Sequence, residues 1–404
     1  MTKPPANTVE FDPFSREYFD DPTAMYASLR ADAPCFHSER YDFYAFSRFD
    51  DCVAVHRDTA NFTSTHGLTY EQLTNPDHDD SFNSLIMMDP PQHTRYRKLV
   101  SRSFTPRAME RYDRLVRQQI RKYLEPLVDA DEFDLVKDFS GPFPVEVICA
   151  ILGVPEADWQ MIRHQTDAML HREEGEALGS AAQAEAAINQ AVYFIEFVSD
   201  KRSHLGDDLT STLIEAEVET ETGEVAALTD EDIAGFISLL GAAGSETVTK
   251  AVANAGVLFH RNPREWDKLK ADPSKTAGAV EEVLRYWAPS QYQGRLSVNE
   301  TEWHGVTVEA GKPVFIVTGA ANHDEREFGP DATVFDIDRE QRLAISLGHG
   351  IHTCLGAALA RMECVVAIDE IRRRWPNYSI DEARCERVQM SNVAGYRSVP
   401  FSTS

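Results

Sequence analysis

Ser346-Leu347-Gly348-His349-Gly350-Ile351-His352-Thr353-Cys354-Leu355-Gly356-Ala357-Ala358-Leu359-Ala360-Arg361-Met362-Glu363 decides how the rest of this 404-residue chain is read. Glycines and a cysteine precede a run of strong helix formers, so the stretch describes a tight backbone turn feeding a helix. Gly348 and Gly350 permit backbone angles that a residue with a Cβ resists. Cys354 falls at the helix N-terminus, where free N–H groups and the dipole favour an anion. Its thiol is therefore expected to ionise readily and to serve as a metal ligand or nucleophile. Gly356 leaves one side of the turn bare, with room for a flat group. On these residues alone, a small buried hydrophobe is the competing reading of Cys354. His349, His352 and Cys354 are also zinc-type ligands, but no CxxC or second Cys/His pair completes a tetrahedral set.

Moving outward, the size allows a large core, and the formal net charge of −26 argues against a nucleic-acid partner. Six cysteines (Cys35, Cys52, Cys149, Cys354, Cys364, Cys385) follow no repeating spacing, which suits a reducing compartment better than a disulfide framework. Met1 to Glu17 has no signal-peptide pattern, and the longest apolar stretch, Pro142 to Val154, is too short for a membrane span. The expectation is a cytoplasmic protein without a membrane span.

Upstream, Thr229-Asp230-Glu231-Asp232 reads as a capping box opening a largely buried helix through Ile233, Phe236, Ile237 and Leu240. Gly241-Ala242-Ala243-Gly244-Ser245-Glu246-Thr247 then places small residues mid-helix. Each glycine there costs roughly 0.5–1 kcal/mol against Ala, which fits either tight helix packing or a group brought close to the backbone. Glu282-Val283-Leu284-Arg285 puts an acid and a base on one helical face. Pro90-Pro91 opens a helix at Gln92, with His93 and Arg97 on one face and Arg95, Lys98 and Arg102 adding positive charge. A charge run of this kind is usually a solvated face.

Elsewhere the patterns predict a polar surface arm over residues 1–20, a helix over Pro22–Ala33, short strands over Cys35–Phe49 and a helix over Phe49–Arg57. A long loop follows over 60–85, with a short helix at Thr69–Leu73. Helices are expected over Met109–Ala130, Pro144–Ile151, Glu156–Leu170, Ala181–Lys201, Pro263–Ala271 and Lys275–Ala288, with a joint at 171–180. Trp303–Val308 and Val314–Val317 are expected to pair as a hairpin about Ala310-Gly311-Lys312-Pro313. A second hairpin is expected over Gln389–Arg397, with its tip near Val393-Ala394-Gly395-Tyr396.

Gly348-x-Gly350-x-His352-x-Cys354-x-Gly356 resembles the haem-binding loop of the cytochromes P450. Asp89-Pro90-Pro91-x-His93-x-x-x-Arg97, Ala243-Gly244-x-Glu246-Thr247 and Glu282-x-x-Arg285 resemble three further motifs of that family, in the family's order. The resemblance runs from about Asp12 to Phe401. It implies a mainly α cytochrome P450 fold, one domain over residues 1–404. Residues 12–60, 290–320 and 385–401 would contribute most of a smaller β-rich part. Haem b would lie between the long central helix and the Cys354 loop.

By the same resemblance Cys354 is the metal ligand, where thiolate donation favours O–O cleavage. Gly348, His352 and Gly356 shape the haem loop, and His93, Arg97 and Arg295 pair the propionates. Ala243 and Gly244 would lie over the iron, Thr247 would hydrogen-bond the bound O2, and Glu246 would connect it to solvent protons. Glu282 and Arg285, with Arg339 as third member, would hold the loop. The family usually has Phe at the position of Leu347, a departure that bears on redox tuning and not on ligation. Ile86, Met87, Leu239, Leu240, Ala243, Ser290, Gln291, Tyr292, Gln293, Val393 and Ala394 would line the substrate pocket.

The implied function is a haem-thiolate monooxygenase acting on a hydrophobic small molecule: a steroid, terpenoid, fatty acyl chain or polyketide-like compound. No flavin or nicotinamide would bind directly. A separate iron–sulfur ferredoxin, docking near Arg95, Lys98 and Arg102, and its reductase would supply electrons. A peroxide-driven peroxygenase, an O2-independent isomerase or dehydratase, and a haem or zinc sensor are the alternatives.

Overall fold

A computed structural model describes residues 9–75, 84–219, 223–340, 344–390 and 392–403. The helices that carry the site are α1 (Gln92–Ser101), α2 (Pro142–Leu152), α3 (Trp159–Leu170), α4 (Ala181–Lys201), α5 (Asp230–Arg261), α6 (Thr276–Tyr286) and α7 (Ala357–Arg374). α5, of 32 residues, is the axis against which α2, α3, α4, α6 and α7 pack. Its start is the expected capping box: Thr229 Oγ1 accepts from Asp232 N at 3.1 Å, and Asp232 Oδ2 accepts from Thr229 N at 3.1 Å. Every residue from Val248 to Phe259 is buried. A helix enclosed on all sides must have neighbours on all sides, and the surrounding helices supply them.

A five-stranded sheet closes the other flank: β1 (Cys35–Ser38), β2 (Phe43–Phe46), β3 (Phe62–Thr63), β4 (Gln293–Ser297) and β5 (Pro313–Ile316), in the spatial order β1-β2-β5-β4-β3. β5 runs parallel to β2 and antiparallel to β4. The expected hairpin between 303–308 and 314–317 therefore does not form. Thr301–Trp303 pairs instead with Val306–Val308. His304 and Gly305, at φ +52° and +79°, make the tight turn that fits a two-residue hairpin. All four residues of β5 are buried, as suits a strand with a neighbour on each edge.

The segment expected to be a surface arm is anchored through its aromatic residues. Phe11, Phe14, Tyr18 and Phe19 are buried, and Phe11 meets Phe36 and Phe43 edge-on at 6.0 and 6.1 Å. Residues 1–8 lie outside the described residues, as do 76–83 of the expected long loop. The described part of that loop holds β3 and the helix Tyr70–Thr74. Around the second expected hairpin the paired limbs are Glu386–Arg387 and Tyr396–Ser398, so Tyr396 lies in a limb and not at the tip, and Ser391 lies outside the described residues. Strands also occur beyond the three expected β regions, at Glu132–Asp134, Glu217–Glu219, Val225–Ala227 and Ser379–Ile380. Among the described residues, no helix is long and apolar enough to cross a membrane.

Candidate functional site

The cysteine loop is closed by its own backbone. Cys354 N donates to Leu347 O at 2.7 Å, and Gly348 N to Ile345 O at 2.9 Å. Gly348 and Gly350 take φ of +73° and +69°, the left-handed region that side chains resist. A Cβ on Gly350 would also stand 3.0 Å from His56 O, so the loop packs directly on the helix Phe49–Arg57. A Cβ on Gly356 would meet nothing within 4 Å. Cys354 is exposed, yet enough protein surrounds its sulfur that desolvation pushes the thiol up. A group with both properties lines a cleft. The Gly356 N–H and the charges of Arg97 and Arg361 pull the other way, toward the thiolate.

α5 packs against α7, the helix that follows the cysteine loop, and part of α5 is open. Leu239, Leu240 and Thr247 are half-buried and Ala243 is exposed, within a helix otherwise enclosed. These positions recur at helical spacing and form one stripe. Thr247 Oγ1 donates to Ala243 O at 2.8 Å. Gly244 does not share this opening through its side-chain direction. Its Cβ would stand 3.2 Å from Ile148 Cγ1, so tight packing on α2 accounts for this glycine.

Cationic and imidazole groups gather beside the loop. His93 is buried, its Nε2 lacks a hydrogen-bond partner, and its ring lies 4.4 Å from that of His352. His352 Nε2 is 3.1 Å from Ser64 Oγ, and Arg97 Nη2 donates to Thr353 O at 2.5 Å. Arg295 is 3% exposed and donates through Nη1 to Gly294 O at 2.6 Å. Burial, followed by Arg295, presses His352 down to about 2, and burial lowers Arg295 to about 10. His93 is lowered by burial and then by Arg97. Asp89, which accepts from Thr63 Oγ1 at 2.5 Å, is the acid that these groups feel. Buried donors pressed together in this way fit an anion that is not protein. His56, on the neighbouring helix, is buried with neither ring nitrogen partnered; no spacing in the sequence marks it.

Among the described residues, no three His, Cys, Asp or Glu side chains are arranged to hold a metal ion. His349 is turned away, its Nε2 accepting from Arg57 Nε at 2.9 Å. The geometry thus suits a flat group bearing carboxylates, with cations at its rim and a sulfur on one face.

Glu246 faces α3. Its Oε2 lies 2.9 Å from Lys250 Nζ, with the two side chains 5% and 4% exposed. Its charge is felt by Asp167 of α3. Burial and then the Glu246 charge push the Asp167 carboxyl up, while Lys250 holds Glu246 below the usual carboxylate range against its own desolvation. Asp167 and Lys250 were not marked by any motif.

Glu282 and Arg285 on α6 are buried, Arg285 donates to both Glu282 oxygens at 2.7 Å, and Arg339 Nε reaches Glu282 Oε1 at 3.4 Å. Two of the residues expected to line the pocket are engaged elsewhere. Gln291 is turned inward, its Oε1 accepting from Tyr26 Oη at 2.8 Å. Tyr292 is fully buried against Phe315 at 4.6 Å between ring centroids. Both are removed from the lining because they anchor the N-terminal aromatic cluster. Ser290 bridges Val393, and Gln293 Nε2 donates to Ser290 Oγ at 2.8 Å. Ile86, Met87 and Ala394 are half-buried, and Ala394 N donates to Pro289 O at 2.8 Å.

A sequence model of the family described as Cytochrome P450 matches residues 175–375. The chain is 35% identical over 405 residues to cytochrome P450 130 of Mycobacterium tuberculosis (strain ATCC 25618 / H37Rv), covering 97% of each chain. It is 32% identical to the methyl-branched lipid omega-hydroxylase of the same organism, over 89% of this chain and 84% of that one. The crystal structure of CYP109E1 from Bacillus megaterium in complex with testosterone superposes with a TM-score of 0.87 at 29% identity, covering 95% of this chain and 98% of that one.

Proposed function

The chain belongs to the cytochrome P450 family, a monooxygenase family, and we propose that it inserts one oxygen atom from O2 into an apolar small molecule. One observation carries this reading: an exposed Cys354 stands on a loop beside buried, partly unpartnered basic groups, just before a helix that packs on α5. The residues present fit haem b. Cys354 would ligate its iron, and His93, Arg97, Arg295 and His352 would hold its carboxylates. Gly348 and Gly356 would keep the loop close to its face. Once bound, haem supplies the redox and oxygen chemistry, and the protein contributes orientation and protons.

Glu282, Arg285 and Arg339 fix the approach to Ser346 and so the height of the loop. Ala243, backed by Gly244 packed on Ile148, leaves space above the site. Thr247 Oγ1, back-bonded to Ala243 O, is a hydroxyl able to pass a proton at the edge of that space. Glu246 is the acid one residue before it. Leu239, Leu240, Ile86, Met87, Val393 and Ala394 would offer an apolar wall, with Ser290 and Gln293 as its polar margin. An omega-hydroxylase acting on methyl-branched lipid and a relative crystallised with testosterone support an apolar substrate, a lipid chain or a steroid. Electrons would come from an iron–sulfur ferredoxin at Lys98 and Arg102, near Arg95.

The test is the reduced, carbon monoxide-treated protein. A thiolate-type Soret band, lost in Cys354→Ala, is expected. Its absence, or its survival in the variant, overturns the assignment. Turnover with O2 and a ferredoxin system selects the monooxygenase; turnover with peroxide alone selects a peroxygenase.

A further inference from the structure

His56 is 3% exposed, and neither of its ring nitrogens has a hydrogen-bond partner. An imidazole shut away from water with both nitrogens unpaired costs free energy that packing alone does not repay. The helix that carries it, Phe49–Arg57, buries an otherwise apolar face. Phe49, Cys52 and Val55 enter a cluster with Phe62, Ile316 and Ile345, and His56 ends that face where the helix meets the cysteine loop.

The backbone fixes where His56 stands. Its carbonyl oxygen is the atom that a Cβ on Gly350 would approach to 3.0 Å, and its neighbour Arg57 donates from Nε to His349 Nε2 at 2.9 Å. The chain then runs into β3, where Thr63 pairs with Leu296, the residue after Arg295, and Ser64 Oγ lies 3.1 Å from His352 Nε2. His56 is therefore held between the turn that carries His352 and the strand that carries Arg295. The charges acting on its ring are those of Arg295 and His349, and His352 in turn feels His56. Among the described residues no carboxylate acts on it. Asp89, the acid that Arg295 feels, is held by Thr63 Oγ1 at 2.5 Å and by Ser64 N at 3.2 Å. Burial, then Arg295, lowers His56 to about 3, so the ring is neutral and offers one N–H.

We propose that His56 is a further haem-holding residue, donating a ring N–H to a carboxylate of the bound group beside Arg295 and His352. The inference rests on the proposed function, in which haem b occupies the site. It explains why an unpaired imidazole is kept at this place in an apolar face. Were packing its role, Leu or Phe would serve better, because either removes two unpaired nitrogens and breaks no hydrogen bond. The two roles thus differ in the sign of their effect.

Haem transfer from the ferric holoenzyme to an apo-globin acceptor, read together with the resonance Raman band of the haem carboxylates, tests this. In His56→Leu the transfer rate is expected to rise about tenfold, as one hydrogen bond to a charged group is lost, and the carboxylate band to shift. His56→Gln keeps an N–H donor and should return both most of the way to wild type. Transfer that is unchanged or slower in His56→Leu overturns the inference, as does faster transfer with an unmoved band. A band displaced equally in both variants overturns it too. Should His56→Leu fail to fold, His56→Phe, with a ring and no N–H, is read in the same way. The thiolate-type carbon monoxide band should persist in every variant. Its absence from the wild-type protein would overturn the haem assignment and this inference together, whereas a normal band with unchanged transfer overturns this inference alone.

Discussion

Glu282 and Arg285 face each other one turn apart on α6, with Arg285 Nε and Nη2 each donating to a separate Glu282 oxygen at 2.7 Å. Arg285 Nη1 also donates to Asn322 O at 2.8 Å and Ala332 O at 2.7 Å. Asn322 in turn holds Ser346 Oγ at 2.8 Å and Ile345 N at 3.0 Å, the start of the cysteine loop. The pair thus reaches the start of the cysteine loop through hydrogen bonds by way of Asn322. Glu282→Gln leaves the guanidinium buried without its counter-charge, a change that costs about 3–5 kcal/mol. Urea unfolding should show that loss, and haem should transfer faster to an apo-globin acceptor. Unchanged stability would remove the pair from the support of the loop.

Gly244 and Ile148 make a contact too tight for an added methyl, at 3.2 Å to Ile148 Cγ1. Gly244→Ala is expected to destabilise the protein by about 1–3 kcal/mol through overpacking. Ile148→Val in the same chain should recover most of that loss, a coupling that a double-mutant cycle measures. If Gly244→Ala instead blocks haem uptake without loss of stability and Ile148→Val does not help, the glycine serves the haem face.

The cysteine loop, the capping box at Thr229 and the acid–base pair at Glu282 were legible because each depends on neighbours close in sequence. Positive φ at Gly348, a cap three residues from its partner and a salt bridge across one turn are local facts. What escaped was set by contacts between distant segments. Gln291 and Tyr292 read as pocket residues until Tyr26 and Phe315, far away in sequence, turned them inward. Val314 to Ile316 looked like half of a hairpin, and only β2, about 270 residues upstream, makes it a central strand. Asp167 and Lys250 belong to no motif, because their meaning lies in where α3 crosses α5.

His323 supplies a pH dependence of stability. Burial, only partly offset by its 3.0 Å hydrogen bond to Gly319 O, lowers it to about 4. An unfolded histidine takes up its proton below roughly pH 6.5, so between pH 6.5 and 4 the unfolded state binds the extra proton. Stability from this residue is therefore complete above pH 6.5 and is lost as the pH falls toward 4. His323→Gln should flatten the fall in unfolding free energy across that window by at most about 1.4 kcal/mol per pH unit. Parallel wild-type and variant curves would show that His323 titrates normally in the folded protein.

Lys98 and Arg102 are exposed at the end of α1, on a chain whose net charge is −26. An acidic donor approaching such a molecule is repelled everywhere except at local positive patches, so these residues should govern encounter more than affinity. Reversing both, Lys98→Glu with Arg102→Glu, is expected to slow the second-order rate of first electron transfer from a ferredoxin about tenfold at low salt. Raising the ionic strength should shrink the difference between variant and wild type, since charges separated by more than the Debye length are screened. Stopped-flow reduction under carbon monoxide measures both rates, and the final spectrum checks that the cysteine site is intact. Equal rates at low salt would move the docking surface away from α1.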